Sequence, residues 1–496
     1  MLKSPDPTAN QSSRHRVVRN STLNLIAQGV YAVFYLASIV TMAHGLGREG
    51  VGAFFKVFAF LLVIQFFVEA GFGAVLTRRI THAPEVWRQT AAEAVAVFTI
   101  MIAATLIGFI AVGFFLAHHY QEQGVIVRLA CAGVACAAIQ AHRFGAAVFF
   151  GFEEFAYDNI MKIIQGALFA ISLAMVVGLG MGNVELVLAL LALSHLASAG
   201  YMLFSLERRH RCLFAWHWGH APIKSWLIEG VPLGASDAMR GLSLQLDTIL
   251  LGWLKSDAVV GVYSLASRPI GPLNWLPRAV LTAVFPSLVR QVHTDRASLN
   301  RTFGSSMRLL WIISLPIAVS LSLCSETVVL LLGGEDFRDA ALPLSMLIWI
   351  VCLSYVSFQY RFLFTALNRS RLYVSLVGVV LCIQATINLL LIPRFGYFGA
   401  CAGSLVAETT FTFGGLILCR LVGIRGVEWS AMGRACLAAA AMALALWFFR
   451  TERLLVLVPA VGLATVGYFA LCLLFGALRR EEIGLLWTVI RRRSAD

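Results

Sequence analysis

Fourteen predominantly apolar runs, each near the length that crosses a bilayer, follow one another with only short polar segments between them. A spanning helix needs about 20 apolar residues, and in lipid its backbone must satisfy its hydrogen bonds internally. The runs lie near 21–43, 53–76, 91–117, 125–150, 160–181, 186–206, 226–253, 261–288, 304–332, 341–366, 372–392, 399–419, 434–450 and 454–477. Only 13% of the chain is charged and 59% is hydrophobic, against roughly 25% charged in soluble domains. The pattern predicts an all-α polytopic membrane protein of about fourteen transmembrane helices with no soluble domain.

The net charge of +13 forms neither a patch nor a tail of the kind that binds nucleic acid. The basic residues punctuate the apolar runs and fall mostly on one side of the predicted membrane, which places both termini in the cytoplasm. Merging the last two runs would put Arg479, Arg480 and Arg491 to Arg493 outside, so they are read as two spans. The first run is too long for a signal-peptide core and reads as a retained anchor. Ten cysteines are present, nearly all within or beside apolar runs, with no spacing that suits a metal. No metal and no cofactor is expected. The absence of a GxxxxGK[ST] loop excludes nucleotide hydrolysis through that motif.

The longest connection, from Glu207 to Ser225, carries Arg208, Arg209, Arg211 and Lys224 and reads as a cytoplasmic linker. It divides an N-lobe of six spans (1–206) from a C-lobe of six (226–422). Two further spans (423–478) and a basic amphipathic cytoplasmic tail (479–496) follow. A weak internal repeat supports the two lobes: Leu46-Gly-Arg-Glu-Gly-Val-Gly52 after the first span matches Leu254-Lys-Ser-Asp-Ala-Val-Val-Gly261 after the seventh. Parallel repeats of this kind place substrate between them in transporters.

Charge inside the membrane is expensive, so such residues line wet cavities or pair with one another. On the seventh span Glu229, Asp237, Arg240 and Asp247 fall within one arc at 100° per residue. Asp237 and Arg240 lie about 16–21 Å deep. An Asp237–Arg240 pair that only neutralises itself is the structural alternative, but it leaves Asp247 without a reason. On the first span Asn20, Asn24, Gln28, Tyr31, Tyr35 and Ser38 form one polar stripe, either cavity lining or helix–helix glue. Lys56 and Arg268 add cations on the second and eighth spans. Pro269, Gly271, Pro272 and Pro277 predict a bent or unwound eighth helix beside Arg268. Arg143, Arg278, Arg308 and Arg361 lie nearer the cytoplasmic ends and suit snorkelling; Arg143, Arg278 and Arg361 are candidates for a cytoplasmic entry. Arginine suits phosphate through its planar donors, so Lys56, Arg240 and Arg268 are the candidate anion ligands. Asp237, Asp247 and Glu408 are the deep carboxylates that could carry a coupling proton or sodium ion. A structural hydrogen bond is an equal alternative for Glu408.

Several segments together resemble the polysaccharide-exporter branch, the Wzx-type O-antigen flippases, of the MOP superfamily that includes multidrug MATE antiporters and the lipid II flippase. They are Leu46-Gly…Val51-Gly52, Glu69-Ala-Gly71-Phe, Gly230-Val-Pro232, Asp247…Val260-Gly261-Val-Tyr263, Leu367-Asn-Arg-Ser-Arg371 and Ile392-Pro-Arg-Phe-Gly396-Tyr-Phe-Gly399. The resemblance implies two six-helix lobes working by alternating access in a bacterial inner membrane. The implied cargo is an undecaprenyl-pyrophosphate-linked glycan moved to the periplasmic leaflet for surface polysaccharide, with a polysaccharide polymerase as a possible partner. It also implies basic cavity residues on the second and eighth helices, where Lys56 and Arg268 stand; with Arg240 of the seventh span these are the residues expected to capture the pyrophosphate. The lipid II flippase carries basic residues on its first, second and eighth helices; here the interior of the first is uncharged, which speaks against lipid II itself. Two alternatives stand beside this reading. A cation-coupled MATE-type antiporter would want a net acidic cavity. A membrane glycan polymerase or ligase, an enzyme, would want long outer loops, and these outer loops are short.

Overall fold

The computed structural model describes residues 7–69, 71–83, 85–120, 124–211, 223–448 and 454–478. The expected amphipathic tail, and residues 212–222 of the expected linker, lie outside the described residues. Those residues are helical with connecting turns, and none forms a strand.

Two compact units divide the chain, Met1–Ser264 and Leu265–Asp496. The first holds α1 (Pro7–Glu69), α2 (Phe72–His82), α3 (Trp87–Tyr120), α4 (Gly124–Gly151), α5 (Ala156–Gly178), α6 (Val184–His210), α7 (Ile223–Leu254) and most of α8 (Asp257–Ser267). The second holds the end of α8, then α9 (Ile270–Leu273), α10 (Trp275–Thr294), α11 (Arg296–Leu323), α12 (Ser325–Gly333), α13 (Ala341–Leu347), α14 (Trp349–Ala366), α15 (Ser370–Phe395), α16 (Tyr397–Leu421), α17 (Trp429–Phe448) and α18 (Leu454–Leu474).

Eleven helical segments among the described residues are long and apolar enough to cross a membrane. The difference from fourteen sits in three places, each with a physical cause. The first two predicted spans run on as α1, interrupted only at Gly47, where φ is 64° and ψ is −172°. Glycine takes that left-handed conformation without a Cβ clash, so the chain turns without a loop. The predicted seventh span, α7, carries Lys224, Glu229, Asp237, Arg240 and Asp247, too many charges to pass as apolar. The predicted eighth span is broken beside Arg268: α8 stops at Ser267, α9 is a single turn, and α10 begins at Trp275. Pro269, Pro272 and Pro277 cannot donate to the helical ladder, which is the reason for that break.

Elsewhere the helices end where the local chemistry ends them. The Leu186 amide donates to Asn183 Oδ1 (2.8 Å) at the start of α6, and the Ala297 amide donates to Asp295 Oδ1 (2.8 Å) at the start of α11. Each supplies an acceptor that the first turn lacks. Large apolar side chains face outward in both units: Trp253 is 77% exposed, Phe448 88% and Leu474 79%. A surface of this kind needs lipid to cover it. The buried interior is correspondingly rich in polar side chains, Gln140, Asp158, Ser198, Asp247 and Thr248 in the first unit and Arg308, Gln359, Asn388 and Glu408 in the second. This is a multi-pass membrane protein.

Candidate functional site

The seam between α1 and α7–α8 organises the chemistry of the first unit. A Cβ on Gly52 would lie 1.7 Å from the Asp257 carbonyl oxygen, and one on Gly261 would lie 2.1 Å from the Arg48 carbonyl oxygen. Backbone meets backbone there, as small residues allow between membrane helices. Along the same seam Gly241 abuts the Phe66 ring and Gly252 abuts the Lys56 stem.

Two ion-pair clusters stand beside α7 and α8, one on this seam and one between α7 and α2. Lys56 Nζ donates to Asp257 Oδ1 at 2.6 Å, with about a third of each side chain exposed. Lys56, a candidate anion ligand by sequence, is thus held by a carboxylate. Toward the other end of α7, Glu229 accepts from Arg78 Nη2 (2.8 Å) and Arg79 Nη2 (2.5 Å). Glu93 stands 3.6 Å from Arg79, whose guanidinium lies 4.5 Å over the Trp226 ring. Glu229 belonged to the polar arc read from sequence; the arginines that meet it did not, because Arg78 and Arg79 read as loop residues.

The remaining candidates are distributed as follows. On α7, Asp237 is exposed and Arg240 half-buried, whereas Asp247 is 3% exposed and accepts from the Tyr263 hydroxyl at 2.7 Å. On α1, Gln28 is half-buried, and the Tyr31 and Tyr35 rings stack at 6.4 Å. Tyr31 also lies against Gly166 of α5, so at least this member of the stripe packs helices together. Asn24 lies within α1. Arg143 of α4 is ion-paired with Glu69 and half-exposed. In the second unit Arg268 is half-buried, and Arg278 and Arg361 are exposed. Glu408 is 4% exposed and accepts from the Ser357 hydroxyl at 2.7 Å. Arg308 departs from expectation. It does not snorkel but is 1% exposed and ion-paired with Glu428, because the turn before α17 delivers a carboxylate to it.

Sequence reading missed a titratable cluster. His142 on α4 bonds Asp158 of α5 through Nε2 (3.0 Å) and Ser198 of α6 through Nδ1 (3.0 Å), and Lys162 donates to Asp158 at 2.6 Å. Asp158 and Lys162, an i, i+4 pair at the start of the fifth span, were the available signal.

An open apolar groove of about 490 Å³ lies along α1, α3 and the start of α7, lined by Ile64, Phe67, Phe72, Met101, Phe109 and Leu227 among others. It reaches Phe72, which stacks on Trp226 at 6.5 Å.

Known proteins place this arrangement. The fold matches the lipid II flippase MurJ in an inward closed conformation with a TM-score of 0.71 at 11% identity, covering 92% of this chain and 98% of that one. It matches an inward-facing multidrug resistance MATE family transporter of the MOP superfamily at 0.64 and 15%, covering 81% and 98%. By sequence the chain is 26% identical over 255 residues to a Haloferax volcanii protein named "Probable flippase AglR", covering 48% of this chain and 52% of that protein, about half its length. It is 24% identical over 340 residues to a Shigella flexneri protein named for O-antigen transport, covering 65% and 78%. The profile of polysaccharide biosynthesis proteins matches residues 17–292, more than half of the chain. The chain belongs to the polysaccharide biosynthesis protein family, on a fold shared with MOP-superfamily transporters.

Proposed function

We propose that this protein is a flippase for lipid-linked oligosaccharide, moving an undecaprenyl-pyrophosphate-linked glycan from the cytoplasmic to the periplasmic leaflet by alternating access. The observation that carries the reading is the coincidence of a polysaccharide-biosynthesis sequence family with a polytopic transporter fold. In a chain made almost wholly of membrane helices, charged side chains at membrane depth mark substrate or ion pathways.

The anion ligands we propose are Lys56 and Arg240 on the first unit and Arg268 on the second, each to be tested singly. Lys56 would serve only after leaving Asp257, so its pair with Asp257 (2.6 Å) is the resting state of that ligand. The glycan would travel past polar side chains and the prenyl tail would remain in lipid. The membrane would be the bacterial inner membrane, with both termini cytoplasmic. The multidrug antiporter reading has the fold on its side but not the sequence family.

The test is deletion of the gene in a strain without a paralogue. Lipid-linked repeat units should accumulate on the cytoplasmic face and surface polysaccharide should disappear. Normal surface polysaccharide in that strain would rule the function out.

A further inference from the structure

We propose that the apolar groove along α1, α3 and α7 holds an acyl chain of one anionic phospholipid, whose phosphate is met by Lys224 and Arg78. The site is separate from the cargo ligands named above and does not depend on what the cargo is.

The groove exists because α3 carries small residues where it borders this space. Ala104 and Gly108, one turn apart, line it, and a Cβ on Gly108 would meet nothing within 4 Å. The end of α1, the start of α2 and the first turns of α7 supply the rest of the lining. On α3 the lining runs from Val97 to Val112, about 22 Å of helix. One leaflet of the hydrocarbon core is about 15 Å deep. A lipid chain can therefore lie in the groove along its whole length.

The lining admits hydrocarbon and little else. Helix interiors are packed without gaps of about 490 Å³, and side chains bordering such a space gain dispersion contacts only when it is filled. Water does not suit it. Thr105 is the only polar side chain among the described lining residues. Its hydroxyl is already committed, donating to the Met101 carbonyl (2.8 Å) and accepting from Gln140 Nε2 (3.0 Å). A bound water needs two to four polar partners.

Charge at one end selects the head group. Ile223, Leu227 and Val231 bring α7 to the groove, and Lys224 shares their helix face, three residues before Leu227 and seven before Val231. Lys224 is exposed in the first turn of α7. Arg78, half exposed, donates to Glu229 at 2.8 Å, while Arg79 holds the same carboxylate at 2.5 Å. Arg78 can thus turn to a phosphate and leave Glu229 paired. Glu93 also stands 3.6 Å from Arg79. Arginine takes phosphate through its planar fork and lysine as a point charge. Basic pockets between helices on the cytoplasmic side bind anionic head groups, and the proposed function places the start of α7 on that side. None of Lys56, Arg240 and Arg268 lines the groove, which leaves it to a lipid other than the cargo.

The test is native mass spectrometry of the purified full-length protein, titrated with dioleoylphosphatidylglycerol or dioleoylphosphatidylcholine. The wild type should retain one phosphatidylglycerol about tenfold more tightly, the worth of one charge-assisted hydrogen bond. Gly108→Leu fills the groove and should lose this retention. Its unfolding midpoint in lipid-free detergent should equal or exceed the wild type's, because leucine favours helix over glycine. Gly200→Leu, another site with nothing within 4 Å of its Cβ, should retain the lipid. Lys224→Gln combined with Arg78→Gln should bind both lipids equally. Equal retention of the two lipids by the wild type, or undiminished phosphatidylglycerol in Gly108→Leu, overturns the site. Undecaprenyl phosphate displacing phosphatidylglycerol at equal concentration would give the groove to the cargo. A dimer that Gly108→Leu dissociates would give it to a second copy, and either result overturns the assignment.

Discussion

Gly52 and Gly261, which occupy matching places in the internal repeat, face each other in the structure: a Cβ built on Gly52 lies 2.9 Å from the Gly261 nitrogen. The same pair brings the α1 and α8 backbones together beside the Lys56–Asp257 ion pair. The repeat is thus not only a trace of duplication; its two glycines form the tightest crossing of the seam.

Gly52→Ala and Gly261→Ala should each destabilise the protein by about 1–3 kcal/mol, the usual cost of overpacking, because backbone cannot move aside as a side chain can. Gly29→Ala, with nothing within 4 Å of its Cβ, serves as the control and should leave the unfolding midpoint unchanged or slightly raised. Thermal unfolding of the three purified variants decides this. Equal midpoints would mean that the α1–α8 crossing is looser than described.

Exchanging the charges of Lys56 and Asp257 separates two roles. If Lys56 contacts the pyrophosphate at some stage of the cycle, Lys56→Asp with Asp257→Lys should abolish export, because the cation no longer sits on α1. Lys56→Arg should keep partial export. Full export by the exchanged pair would show that Lys56 serves only as a latch on Asp257.

Glu428→Gln should cost about 2 kcal/mol or more. It leaves Arg308, whose side chain is 2% exposed, without its counter-charge; a broken buried pair costs about 3–5 kcal/mol, reduced here because Glu428 is 30% exposed. Adding Arg308→Met should recover much of the loss, since nothing charged is then enclosed. Unfolding midpoints of the single and double variants measure both effects.

Glu408→Gln should keep export, since the glutamine oxygen still accepts from the Ser357 hydroxyl. Glu408→Leu should lower abundance modestly, since it removes the shorter of two acceptors and leaves the Ser357 hydroxyl only the Ser354 carbonyl (3.1 Å). Loss of export at normal abundance in Glu408→Gln would show that the charge of this carboxylate, and not only its hydrogen bond, serves transport.

What sequence could reveal depended on whether the signal was local. Apolar runs of helical length gave the membrane fold and its helices, and the prolines after Arg268 marked the break between α8 and α10. The pairing of Gly52 with Gly261 was visible as a repeat, but their contact was not. Long-range ion pairs were the least legible. Arg308 to Glu428 spans 120 residues and Lys56 to Asp257 spans 201, and a charge at a helix end looks the same whether it snorkels or finds a carboxylate. His142 was missed for a related reason: its partners come from two other helices, and a single histidine in an apolar run carries no periodicity.

Transbilayer movement measured in a purified system tests the central claim most directly. Lipid-linked oligosaccharide extracted from deletion cells would be placed in proteoliposomes with a proton gradient, and its exposure followed by a membrane-impermeant glycan oxidant. The account predicts that the protected pool becomes reactive with wild-type protein and stays protected with Arg240→Gln. A protected pool that reacts no faster with the wild-type protein than in empty liposomes would contradict it.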